Sequence, residues 1–204
     1  QHKNIHEVRI VFLGAGAAGC SCARLLKLMG AKHITMVDRK GILHTNRKDL
    51  NQYNQDLAVE TKGRLLSDAM ENSDVFIGVS GANLLDEDHV KLMAKNPIIF
   101  ALANPDPEIL PSKAHAIRDD IVMATGRSDF PNQVNNVLGF PFLFRGALDA
   151  QATEITNDML LAASFALAKL AKEPVPQSVL DAYKTNTMEF GRESLIPKPF
   201  DPRL

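Results

Sequence analysis

Short apolar segments alternate with amphipathic segments through the first two thirds of the chain. The apolar runs predict buried strands, because β-branched and aromatic residues fill them and glycine, proline or polar residues end them. They cover residues 8–13, 33–37, 74–79, 97–102 and 121–124. Helical spacing of apolar residues predicts helices at 17–29, 49–59, 64–70 and 87–94. This alternation predicts an α/β, Rossmann-type fold: a doubly wound, mostly parallel sheet with helices on both faces.

The last third of the chain has a different pattern. Residues 132–144 are rich in asparagine, proline and phenylalanine and predict a packed loop. Thr156 is expected to cap a long helix with apolar positions up to Leu170, and residues 179–183 to begin another helix. The proline-rich tail, 196–204, predicts irregular structure. We therefore predict a single domain over residues 1–204, with an α/β core at about 8–130 and a C-terminal helical extension at 131–204.

Composition and charge narrow the class of protein. The 204 residues are 45% hydrophobic and 23% charged, with a net charge of −1. No block of like charge favours nucleic acid as a partner, and no apolar run approaches the roughly 20 residues of a membrane span. Cys20 and Cys22 diverge on a helix, so we expect reduced, buried thiols. With no secretory signal pattern, we expect a cytoplasmic protein.

The sequence Gly14-Ala15-Gly16-Ala17-Ala18-Gly19 has the spacing of a dinucleotide-binding turn. This spacing alone is a weak signal, and the alternative is a purely structural turn. Here it follows a predicted strand, opens a predicted helix and precedes by 19 residues an acidic residue, Asp38, at the end of the next strand. The first glycine allows the bend, the second lets a pyrophosphate approach and the third lets helix and strand pack. We predict that the helix N-terminus binds the pyrophosphate of a nicotinamide dinucleotide.

Side chains at the carboxyl ends of the predicted strands could contact the same cofactor. Asp38 is expected to accept hydrogen bonds from the adenosine ribose, which favours NAD because a 2′-phosphate would meet a negative charge. Arg39 leaves NADP open, since it could pair with that phosphate or be a solvated surface charge. Ser80 and Gly81 follow the third strand and Asn104 follows the fourth, at the edge where ligands bind. The alternative for Asn104 is a structural turn before proline.

A second polar cluster consists of Asn132, Asn135 and Asn136, between apolar segments. Asparagines commonly form turns, but three within five residues could equally form a polar pocket. The histidines, cysteines and acidic residues show no metal-ligand spacing, and we find no Ser-His-Asp arrangement. The residues alone therefore leave the role of this cluster open.

Several stretches together resemble the cofactor-binding domain of bacterial-type malic enzymes, which oxidise and decarboxylate malate. They are residues 76–80, 97–105, 125–129, 131–141, 144–149 and 196–204. The resemblance implies hydride transfer from malate to NAD or NADP, loss of CO2 and protonation to pyruvate, with Mg²⁺ or Mn²⁺ as a Lewis acid. It also implies that Asn104 lies near nicotinamide and substrate, and that Asn135 and Asn136 bind a malate carboxylate.

The resemblance also carries a departure. In malic enzymes the general-base lysine, the general-acid tyrosine and the acidic metal ligands lie in a separate domain, mostly N-terminal to the glycine turn. Only seven residues precede the first predicted strand here. The resemblance therefore implies no catalytic or metal-binding residue in this chain, an N-terminal malic domain as partner, packed against the segment from about Asn135, and a homo-oligomer at full length. Two alternatives remain: a dehydrogenase of another family on the same fold, and a non-catalytic dinucleotide-binding module.

Overall fold

Six strands form one sheet in the order β3-β2-β1-β4-β5-β6. The structure is a computed structural model that describes residues 3–204, and it divides after Gly126 into two units. The strands, all in the first unit, are β1 (Arg9–Leu13), β2 (His33–Asp38), β3 (Gly41–Ile42), β4 (Val75–Gly78), β5 (Ile98–Ala101) and β6 (Val122–Thr125). Neighbouring strands are parallel except β3, which is antiparallel to β2.

The sheet separates two apolar cores, because successive strand residues point to opposite faces. Its helices are α1 (Ala17–Leu28), α2 (Leu66–Met70), α3 (Glu87–Leu92) and α4 (Pro111–Ile117). On one face Phe12 packs in a cluster with Ala23 of α1. On the other face Val11 and Phe76 share a cluster with Val90 of α3. Helices on both faces of a mostly parallel sheet confirm the predicted doubly wound fold.

The second unit is helical. It contains α5 (Phe142–Asp149), α6 (Asn157–Leu170) and α7 (Gln177–Ala182), with a short 3-10 turn at Asn136–Leu138. Thr156 caps α6 as predicted, since its hydroxyl accepts a hydrogen bond from the N–H of Met159 at 3.2 Å. The tail at 196–204 forms no helix or strand. Within residues 3–204, no helix is long and apolar enough to cross a membrane.

Three sequence predictions about local structure were wrong. The helix expected at 49–59 is only a 3-10 turn, Gln55–Leu57. There the side chain of Asn51 accepts from the N–H of Tyr53 at 2.8 Å, and that of Asn54 from the N–H of Asn51 at 3.0 Å, and such local bonds compete with a helix. The loop expected at 132–144 gives way to α5 at Phe142. Cys20 is buried as expected, but Cys22 is exposed.

Candidate functional site

The glycine turn connects β1 to α1 in a geometry that side chains would disrupt. The N–H of Gly14 donates to the carbonyl of Val37 at 2.8 Å, which ties the turn to β2. Gly14 has a φ of +120°, a region that other residues rarely adopt. A Cβ at Gly19 would overlap the carbonyl oxygen of Gly14, so α1 approaches the turn as closely as a glycine allows. These two glycines therefore hold the turn together.

Gly16 differs from the other two glycines because no atom lies within 4 Å of where its Cβ would be. It occupies the N-cap position of α1, where it offers no capping side chain, and the first turn of the helix contains no acidic residue. The N–H groups of this first turn thus have no side-chain acceptor and present the positive end of the helix dipole to solvent. Open space beside such donors fits a phosphate group.

Asp38, at the end of β2, is held by an arginine that the sequence reasoning did not include. Arg47 donates from Nη1 to Oδ1 of Asp38 at 2.8 Å and from Nη2 to Oδ2 at 2.7 Å. The N–H of Lys40 adds a bond to Oδ1 at 2.8 Å. Arg47 also pairs with Asp49 through Nε at 3.0 Å and Nη2 at 2.8 Å. One guanidinium therefore bridges two carboxylates beside the expected ribose position.

The negative charge expected at Asp38 is surrounded by basic side chains. Burial acts to raise the pKa of Asp38, but hydrogen bonds from Arg47 and the Lys40 N–H outweigh it and lower that pKa. Hydrogen bonds to Asp49 and Asp38 raise the pKa of Arg47, so both partners are charged. Residues 38–49 carry four basic and two acidic side chains, a net charge of +2 with histidine neutral. Arg39 is exposed. The surroundings of this edge are cationic.

The loops after β4 and β5 lie at the same carboxyl edge. Ser80 is exposed, and its N–H donates to the side chain of Glu108 at 3.0 Å. Gly81 follows it in the same loop. Asn104, in the loop that follows the end of β5 at Ala101, is exposed, and its peptide bond to Pro105 is cis. The structure thus brings the glycine turn and these residues to one edge of the sheet.

The three asparagines of the second unit have different surroundings. Asn132 is buried; its Nδ2 donates to the carbonyl of Arg192 at 2.7 Å, and its Oδ1 accepts from the N–H of Leu195 at 2.8 Å. This side chain fixes the C-terminal segment. The Oδ1 of Asn135 accepts from the N–H of Val137 at 3.0 Å and caps the 3-10 turn, so any ligand it binds would meet Nδ2. Asn136 begins that turn and is exposed.

Metal ligands were not expected in this chain. Among residues 3–204, no group of three or more histidine, cysteine, aspartate or glutamate side chains is arranged to hold a metal ion. The described residues therefore do not fit the divalent cation that the resemblance implies.

Comparison with protein families identifies the family to which this α/β chain belongs. Residues 1–183 match the family model described as malic enzyme, NAD binding domain. The chain belongs to the malic enzyme NAD-binding domain family. This membership confirms the resemblance carried by the sequence motifs, and it decides against a dehydrogenase of another family.

Relatives within the malic enzyme family differ in length and in cofactor. The NADP-dependent malic enzyme of Halomonas elongata is 56% identical over 204 residues, which is 99% of this chain and 48% of that protein. The NAD-dependent malic enzyme of Rhizobium meliloti is 46% identical over 99% of this chain and 27% of that protein. The crystal structure of the NAD-dependent malic enzyme from Thermotoga maritima has a TM-score of 0.82 and 41% identity, covering 98% of this chain and 49% of that one. The chain spans about half or less of the length of these malic enzymes.

For this malic enzyme domain, sequence reasoning missed two side chains that organise the candidate site. Arg47 is followed by Lys48, and two adjacent basic residues usually indicate solvent-exposed side chains when no acidic partner is known. Glu108 follows Pro107 and precedes Ile109, and all three are buried. A glutamate enclosed by apolar neighbours is the one signal that could have singled it out.

Proposed function

We propose that this chain is the cofactor-binding part of a malic enzyme, which oxidatively decarboxylates malate to pyruvate once an N-terminal malic domain is present. The observation that carries the proposal is the open space at Gly16, beside the uncapped N-terminus of α1. Bound there, NAD(P) would accept the hydride from malate. This chain would hold the pyrophosphate at Gly14–Gly19 and direct the two halves of the dinucleotide to opposite sides of β1.

The proposal includes NADP as well as NAD. The sequence favoured NAD because a 2′-phosphate would meet the charge of Asp38. The guanidinium of Arg47 and the ammonium of Lys40, which pairs with Asp49 at 2.8 Å, together balance the charges of Asp38 and Asp49. The net charge of +2 over residues 38–49 then attracts a phosphate. Relatives named for NADP and a relative named for NAD support a nicotinamide cofactor of either kind. Arg47 is then the side chain on which the choice depends.

Replacing Arg47 tests this account of cofactor choice. In Arg47→Met the carboxylate of Asp38 loses both guanidinium bonds, so we expect the ratio of NADP to NAD affinity to fall roughly tenfold. Asp38→Ser should move the ratio the other way, because it removes one of the two carboxylates that the guanidinium bridges and frees that side of Arg47 for a phosphate. The measurement is calorimetric titration of each variant with NAD and with NADP.

Arg24→Met is the matched control. Arg24 also makes a bidentate pair, with Asp56 at 3.0 Å and 2.7 Å, but it lies on α1. Its loss should leave the ratio unchanged. An unchanged ratio in Arg47→Met as well would show that this pair has no part in selecting the cofactor.

The second unit offers a surface for the N-terminal malic domain. Helices α5 and α6 and the chain end line an apolar cavity of about 590 Å³, with walls that include Leu143, Met159, Ala166 and Leu167. Helix α6 is rich in apolar residues, yet none of them is buried. Exposed apolar patches of this kind mark interaction surfaces. Because the malic enzyme relatives extend well beyond this chain, we assign the patch to their additional N-terminal half.

Malate turnover should therefore require both halves. We expect the chain alone to give no malate-dependent NAD(P)H with Mn²⁺, and its fusion to the N-terminal half of the Halomonas elongata enzyme to give robust activity, measured at 340 nm. The reaction needs a base to take the C2 hydroxyl proton of malate. It also needs a hard divalent cation, which carboxylates chiefly hold, and the described residues offer no group of side chains arranged to bind one. Robust turnover by the chain alone would refute the proposal that this chain only binds the cofactor and that the N-terminal half supplies the base and the metal ligands.

Variants on α6 test the proposed docking surface in the same fusion. Ala166→Glu places a charge on the wall of the cavity, and we expect it to reduce activity and to separate the two halves when they are expressed as separate chains. Ala168→Glu makes the same change on the same helix at an exposed position outside the cavity, and should be neutral. Equal effects of the two variants would exclude the cavity as the contact. Retained dinucleotide binding without any fusion activity would favour the non-catalytic module.

A further inference from the structure

Glu108 is fully buried, between β5 and α4, with 0% of its surface exposed. Glutamate is seldom buried without partners. Its Oε1 accepts from the N–H of Ser80 at 3.0 Å, and its Oε2 from the N–H of Ala103 at 3.1 Å. Both carboxyl oxygens therefore have a backbone donor. One side chain thus ties the loop after β4 to the loop after β5.

Backbone contacts extend this connection. The N–H of Asn83 donates to the carbonyl of Pro107, and that of Leu85 to the carbonyl of Glu108, each at 3.1 Å. Residues 80–85 and 103–108 are therefore bonded to each other through both backbone and side chain. If either loop shifted relative to the other, a hydrogen bond to the buried carboxyl group of Glu108 would break. Breaking it is costly because no water can replace the lost partner.

Strand β4 leaves room for this carboxyl group at Gly78. A Cβ at this position would lie 2.5 Å and 2.6 Å from the two carboxyl oxygens of Glu108. Such contacts are shorter than any that a real side chain makes, so the carboxyl group would have to move. The absence of a side chain at Gly78 is thus a requirement of the Glu108 position.

The order of strands determines which part of a dinucleotide would rest on these loops. In the proposed function the pyrophosphate lies at the turn after β1, and the adenosine ribose lies beside Asp38 at the end of β2. Strand β4 borders β1 on its other side, and β5 follows. A dinucleotide whose centre lies at β1 must therefore extend its nicotinamide half over the loops after β4 and β5.

We propose that Glu108 is a positioning residue for the nicotinamide half of the cofactor. It acts through the backbones of Ser80 and Ala103, and it does not contact the cofactor itself. The inference rests on the proposed function. A merely structural role for the same carboxylate would affect every part of the nucleotide equally, whereas a positioning role affects only the half that lies over β4 and β5.

Titration with NAD and with ADP-ribose separates these two roles, because ADP-ribose retains the adenosine and the pyrophosphate but lacks nicotinamide. In Glu108→Gln one carboxyl oxygen becomes an amide NH2 that faces an N–H donor. The two facing donors displace one of the loops on which the nicotinamide half would rest, so we expect NAD to bind roughly tenfold more weakly, with ADP-ribose affinity unchanged. Equal weakening of both ligands, or of neither, would overturn the proposal. If the parent chain binds neither ligand, the proposed function itself fails, which is a separate result.

Two further variants keep the test decisive. Gly78→Ala leaves Glu108 in place but pushes its carboxyl group aside, so it should produce the same selective loss of NAD affinity. If the thermal melt shows that Glu108→Gln does not fold, Gly78→Ala replaces it in the titrations. An unchanged NAD affinity in Gly78→Ala would then reject the proposal. Glu87→Gln is the control: the same chemical change on the surface of α3, in an exposed ion pair with Lys91, should alter neither affinity.

Discussion

Gly16→Val is expected to abolish NAD(P) binding while leaving the fold intact. The valine side chain would occupy the open space beside the first turn of α1, where we propose that the pyrophosphate binds. The substitution should be tolerated structurally, since Gly16 has a φ of −83° and a ψ of −171°, an extended conformation that valine adopts readily. We expect affinity to fall at least about 100-fold, equal to about 2.8 kcal/mol, by calorimetric titration.

Gly146→Val controls for the chemistry of this change. Gly146 lies in α5 and likewise has no atom within 4 Å of its Cβ position, but it is far along the chain from the glycine turn. Its substitution should leave NAD(P) affinity unaltered. Parent-like affinity in Gly16→Val, with an unchanged circular dichroism spectrum, would mean that the pyrophosphate binds elsewhere.

Gly19→Ala should have the opposite profile, with a large loss of stability. The added methyl group would overlap the carbonyl oxygen of Gly14 and lie 3.3 Å from Cγ2 of Val79. The obstacle is mainly backbone, which cannot rotate away, so we expect a cost of about 3 kcal/mol or more in the free energy of unfolding. The better helix propensity of alanine returns only about 1 kcal/mol. The clash therefore dominates, and chemical denaturation followed by circular dichroism should show it.

The control for Gly19→Ala is Gly146→Ala, a glycine-to-alanine change inside a helix with space around it. It should be neutral or slightly stabilising, because it gains helix propensity without a contact. If both variants melted like the parent chain, the close approach of α1 to the turn would not exist in solution.

The sheet could be predicted, and a candidate cofactor edge located on it, because the signals for both are local. Each buried strand appears as one apolar run, and the glycine turn joins a strand to a helix within a few residues, so the fold class and the candidate cofactor edge followed from the sequence. The helix expected at 49–59 failed for a local reason of another kind. The side chains of Asn51 and Asn54 bond to nearby backbone and replace helical bonds.

Other features depend on contacts that no sequence window contains. Glu108 accepts a bond from Ser80, 28 residues earlier, and only the packed sheet brings the two together. Helix α4 begins at a proline, and its seven residues are too few for a clear apolar period. The ion pair of Arg47 with Asp38 spans only nine residues, yet it depends on the direction in which the chain leaves β2.

That direction has a consequence for engineering. Because β3 returns antiparallel beside β2, Asp38, Arg47 and Asp49 all come from one short segment, whereas a parallel return would need a crossover of a dozen or more residues. The side chains proposed to select the cofactor at its adenosine ribose thus lie within residues 38–49 of the sequence. We therefore expect that residues 38–49 can be exchanged between NAD- and NADP-dependent malic enzymes as a single segment that begins at the end of β2 and ends in the loop after β3.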